Sequence, residues 1–107
     1  MIGSIVTVKI DRPSGSRHPE YKDMIYPINY GYIEGITAPD GEWQDAYIIG
    51  IDESLAEFTG EVIAVIRRND DAEEKWVVAP KGQTFSAEYI KSQVEFQERF
   101  FDYEIRI

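Results

Sequence analysis

The chain is 107 residues long, with eleven Lys and Arg against twenty Asp and Glu, a net charge of −9, 43% hydrophobic residues and no cysteine. That length and hydrophobicity specify a single domain over residues 1–107 with a real core, and argue against two domains or a disordered chain. Scattered bases in so acidic a chain lack the cationic face a nucleic acid needs, no apolar run approaches the ~20 residues of a bilayer span, and any metal must bind oxygen or His18, the only histidine.

The charge is uneven along the chain. Between Asp23 and Ile66 there is no Lys or Arg but nine acids, which carry the whole net charge, while the other eleven acids are matched by eleven bases. The N-terminus lacks the basic and then apolar pattern of a secretory leader, so a cytoplasmic protein with no membrane partner is expected.

In chain order, Ile5–Ile10 alternates apolar and polar, which predicts a half-buried strand ended by Pro13-Ser-Gly-Ser16. Pro27 interrupts the next apolar stretch and predicts an extended or turn conformation for Tyr26. Asn29–Ile33 is a second strand, and Asp40-Gly41 a turn before Ala46–Ile51, whose continuous apolarity predicts a strand covered on both sides. Glu61–Arg68 and Trp76–Ala79, joined by the acidic loop Asn69–Glu74, predict an antiparallel hairpin. Ser86 is a candidate N-cap for a helix in which Tyr89/Ile90, Val94, Phe96 and Phe100/Phe101 recur at helical spacing. The expected fold is mainly β within the α+β class: a small five-stranded, OB-like β-barrel with one C-terminal α-helix.

Asp40, Glu42 and Asp45 put three carboxylates within six residues with no local cation, an arrangement that a hard divalent ion such as Mg²⁺ would relieve. The plain alternative is a turn with solvated acids. A second cluster, Asp70, Asp71, Glu73 and Glu74 followed by Lys75, is either more of the same site or a solvated hairpin tip. Tyr26, Tyr30 and Tyr32 are core aromatics on the simplest reading, and Tyr26 and Tyr30 are also potential donors to an anionic oxygen. Arg17 and His18 offer donors to phosphate, or are surface residues.

Three segments together resemble the soluble Mg²⁺-dependent inorganic pyrophosphatases of the β-barrel type. Tyr26-Pro-Ile-Asn-Tyr-Gly-Tyr-Ile33 is similar to that family's YP-x-NYG-[FY]-I segment, Asp40-Gly-Glu-Trp-Gln-Asp45 to its D-x-D-P-x-D metal signature, and Val65–Asp70 through Lys75 to Pro80 to its strand, acidic loop, lysine and following strand. The resemblance implies two or more Mg²⁺ ions on Asp40, Glu42, Asp45, Asp70 and Glu73, with catalytic roles for Glu42, Lys75 and Tyr30. It implies substrate contacts from Tyr26, Tyr30, Lys75, Arg17, His18 and Glu20. The implied reaction is hydrolysis of inorganic diphosphate or a related small phosphoanhydride, in a protein that could assemble as a homo-oligomer.

This sequence departs from the family at several places. Glu42 stands for an aspartate, and its extra methylene moves the carboxylate by about 1 Å, a displacement that costs on the order of 100-fold in rate. Phe100-Phe101 aligns with a Tyr-Lys phosphate clamp, and the second acidic loop is shorter. These departures raise an alternative: a catalytically degenerate barrel that binds metal or phosphate, or serves as an interaction module.

Overall fold

Alternation in the first strand has the predicted outcome: Val6 and Val8 are buried and Thr7 is exposed in β1 (Ile5–Arg12). The computed structural model describes residues 1–70 and 72–107, so Asp71 of the second acidic cluster lies outside the described residues. After β1 come β2 (Tyr30–Thr37), β3 (Trp43–Ile48), β4 (Glu57–Arg68), β5 (Glu74–Ala79), α1 (Ala87–Glu98) and β6 (Tyr103–Arg106). The sheet runs β1-β2-β3-β5-β4 and closes by pairing β1 with β4, making a five-stranded barrel to which β6 adds at the edge of β4.

Two cores result, one on each side of the barrel wall. Val8, Ile33, Ile48, Val62, Trp76 and Val78 belong to a cluster drawn from all five barrel strands, whereas Tyr30, Tyr47, Ile66, Val77, Ile90 and Val94 belong to one shared with the helix. Adjacent residues of β3 and β5 therefore alternate between two buried faces, which is why Ala46–Ile48 and Trp76–Ala79 read as apolar runs. In β4 the register shifts between Val62 and Ala64, so Val62 and Val65 face the same cluster although three residues apart.

The predicted β4–β5 hairpin is antiparallel. β3 and β5 are parallel, a pairing with no local sequence signal, and it sets Asp45 opposite Lys75. The Asp40-Gly41 turn forms as expected, with Gly41 at φ 89°, a conformation open to glycine at little cost. Ser86 caps α1 by accepting a hydrogen bond from the Tyr89 N–H at 3.1 Å. The helix is shorter than its periodicity predicts: it stops at Glu98, and Phe100 and Phe101 lie in the turn that leads to β6. Between β1 and β2, a short arm bridged at Arg17 and Ile25 arches back toward the barrel. No helix among the described residues is long and apolar enough to cross a membrane.

Candidate functional site

The parallel pairing of β3 and β5 builds the floor of a cleft. Lys75, buried at the start of β5, donates to Asp45 Oδ2 at 2.7 Å, lies 3.4 Å from Glu73 Oε2, and sits 5.7 Å from the centre of the Tyr30 ring. Burial pushes the Tyr30 phenol well above its ordinary range, and the negative charge of Asp45 beside it pushes the same way. Tyr30 is therefore a neutral hydroxyl on this floor.

Arg68, the last residue of β4, lies beside them and is nearly as buried. Its Nε and Nη2 each donate to the Glu98 carboxylate at 2.9 Å, its Nη1 pairs with Glu73, and its guanidinium lies 3.6 Å from the centre of the Phe101 ring. Burial works against the guanidinium charge, and the hydrogen bonds and charge of Glu98 outweigh it, so Arg68 is held more firmly protonated than a free arginine. Glu98 is fully buried and also accepts from the Tyr47 hydroxyl at 2.6 Å. The hydrogen bonds continue outward: Gln97 Nε2 donates to the Tyr47 oxygen at 2.6 Å, the Tyr26 hydroxyl donates to Gln97 Oε1 at 3.0 Å, and Arg12 Nη1 donates to the Tyr26 oxygen at 3.1 Å. One connected network thus runs from Arg68 beneath the helix to Arg12 at the other side of the cleft.

The cleft measures about 980 Å³. Of the residues singled out from the sequence, Tyr26, Tyr30, Asp45, Lys75, His18 and Glu20 line it. Glu73 joins them through Lys75 and Arg68. Arg17 is exposed and donates to the Lys22 carbonyl at 2.9 Å, and it does not line the cleft. His18 uses Nδ1 to accept the backbone N–H groups of Glu20 and Tyr21, each at 3.1 Å, which fixes the tip of the arm. Asp40, Glu42 and Asp70 stand exposed, the first two at the β2–β3 turn and the third at the β4–β5 turn, outside the cleft lining.

Arg12, Arg68 and Glu98 were not singled out by sequence reasoning. One signal was present for Glu98: it follows Ile90 and Val94 at four-residue steps, placing an acid on the apolar face of a helix, where a charge persists only with a partner.

No protein-family model matches the chain, and no curated protein sequence does. Solved structures do. The inorganic pyrophosphatase from Ehrlichia chaffeensis superimposes with a TM-score of 0.74 at 17% identity, over 99% of this chain and 87% of that one. The inorganic pyrophosphatase from Coxiella burnetii gives 0.67 at 14% identity over 99% and 84%, and one from Neisseria gonorrhoeae gives 0.63 at 21% identity over 88% and 72%. The chain has a pyrophosphatase-like fold. At these identities the likeness is one of fold.

Within this pyrophosphatase-like barrel only two of the five carboxylates that the sequence resemblance assigns to Mg²⁺, Asp45 and Glu73, come together. Asp40 Oδ1 accepts the Glu42 N–H at 3.0 Å and so caps its own turn. Asp45 and Glu73 both face the Lys75 ammonium. Among the described residues no group of three or more His, Cys, Asp or Glu is placed to hold a metal ion. As arranged, Asp45 and Glu73 share Lys75 as their counter-ion, and Asp40, Glu42 and Asp70 lie outside the cleft lining.

Proposed function

We propose that the cleft binds inorganic diphosphate or a related small phosphoanhydride. One observation carries the reading: Tyr26 and Tyr30, Asp45 and Lys75, which come from the three separate segments of sequence resemblance, meet around a single cleft. Lys75 and Arg68 supply buried positive charge at its floor, Arg12 supplies donors beyond those it gives Tyr26, and the neutral Tyr30 hydroxyl can donate to a phosphate oxygen without repelling it. Phosphate oxygens would exchange for the carboxylates around Lys75, keeping the ammonium paired. Isothermal titration with inorganic diphosphate tests the proposal, with saturable one-site binding expected. Lys75→Met is expected to weaken binding by about tenfold or more, equivalent to about 1.4 kcal/mol. Binding unchanged in that variant would remove the cleft floor from the reading.

A second reading is Mg²⁺-dependent hydrolysis of the same ligand, the reaction that the sequence resemblance implies. The observation in its favour is that Asp45 and Glu73, from two different parts of the chain, already converge on one positive charge, at 2.7 and 3.4 Å from Lys75 Nζ. Phosphate release measured with and without Mg²⁺ separates the two. Turnover that needs Mg²⁺ and disappears in Asp45→Asn supports an enzyme, and binding without turnover supports a binding module.

A further inference from the structure

The cleft changes character from floor to rim. Its floor is ionic, made of the buried Lys75, Arg68 and Tyr30 with the half-buried Asp45 beside them. Its outer part carries two exposed rings: Tyr21 and Phe100 line it with 66% and 64% of their surfaces exposed. Tyr21 meets the His18 ring at 5.0 Å and Phe100 meets the Arg99 guanidinium at 4.9 Å, and both rings stay largely in water at the mouth of one pocket.

Size points the same way. Clefts of a few hundred to about 1,000 Å³ enclose ligands the size of a drug or a nucleotide. This cleft of about 980 Å³ is at the upper end, whereas inorganic diphosphate needs little more than the ionic floor. The acidity of the chain as a whole disfavours a polymer with many phosphates but not a single nucleotide.

We infer that the ligand is a phosphoanhydride carrying a heteroaromatic ring, a nucleoside diphosphate being the simplest, with its diphosphate on the Lys75 and Arg68 floor and its base against Tyr21 and Phe100. This rests on the phosphoanhydride reading above and extends it to the other end of the ligand. Stacking on an aromatic side chain tolerates any base, so the rim selects for the presence of a ring more than for its identity.

The test is isothermal titration of the full chain with ADP and with inorganic diphosphate at one fixed Mg²⁺ concentration, repeated with the Tyr21→Ala/Phe100→Ala double variant. Both rings are largely in solvent, so the variant keeps the fold. ADP is expected to bind at least tenfold more tightly than diphosphate to the unaltered chain. The double variant is expected to lose about tenfold toward ADP and stay within about twofold toward diphosphate. The inference is overturned if ADP binds no more tightly than diphosphate, if its advantage survives loss of both rings, or if the variant weakens both ligands equally. In each of those cases diphosphate binding still stands by itself, whereas failure of both ligands to bind removes the phosphoanhydride reading and this inference with it.

Discussion

Glu98 carries a charge into a place where water cannot reach it, and its three hydrogen bonds explain how it stays there. Two come from Arg68 in a forked geometry and one from Tyr47. A buried ion pair contributes little net stability against an apolar replacement, but breaking one leaves an uncompensated charge. Arg68→Met is therefore expected to lower unfolding stability by about 3–5 kcal/mol, read from urea denaturation. Adding Glu98→Leu to that variant removes the stranded charge and is expected to restore most of the loss. If the double variant is no more stable than the single, the cost lies in packing and not in charge. At this scale the sequence was legible where a residue's role is set by its neighbours in the chain: Ser86 caps and Gly41 turns. It was not legible for Arg68, whose partners lie five and thirty positions away and on different elements.

Among the elements, the β1–β2 seam leaves the least room. A Cβ on Gly31 would lie 1.9 Å from the Lys9 carbonyl oxygen, which is backbone and cannot step aside. Gly31→Ala is expected to cost about 3 kcal/mol or more, or to part the two strands, and hydrogen exchange at the β1–β2 amides would show which. The cap of α1 is a milder case, and Ser86→Ala is expected to cost about 1 kcal/mol in the same urea assay. The strands were readable because alternation and apolar runs follow from which faces are covered. The helix was read too long because Phe100 and Phe101 continue its period, while the chain in fact closes a local turn, with the Phe101 N–H bonded back to the Glu98 carbonyl at 2.9 Å, and then lays β6 on β4. No local pattern announces β6, a strand of four residues.

For the molecule as a whole, alkaline pH is the informative axis. Burial, reinforced by nearby carboxylates, raises the phenols of Tyr30 and Tyr47 well above their ordinary value near 10. Below about pH 10 both folded and unfolded chains keep these protons, so stability does not respond to them. Above it the unfolded chain releases protons that the folded chain retains, and stability falls by about 1.4 kcal/mol per pH unit for each phenol until its folded value is passed. Urea midpoints measured between pH 9 and pH 11 are expected to show the decline, with a shallower slope in Tyr47→Phe. An unchanged slope would mean that the Tyr47 phenol ionises as freely folded as unfolded. The uneven charge of the sequence proves partly local in origin: Asp45, one acid of the basic-free segment, is met by Lys75 from outside it, whereas Asp40 and Glu42 remain at the surface.

The two ends of the sheet share one strand. β1 runs along β4 with Ile5 opposite Glu61, and β6 runs along the same strand in the same direction with Arg106 opposite Val65. At about 3.3 Å per residue, the four steps from Val65 to Glu61 span only about 13 Å, a gap that Ile107 and Met1–Ser4 can bridge. The fold is thus nearly a closed loop of chain, and its present opening is one choice among several. A circular permutant that joins Ile107 to Met1 and begins at Gly41, in the exposed β2–β3 turn, is expected to give the same far-ultraviolet circular dichroism and a single cooperative unfolding transition.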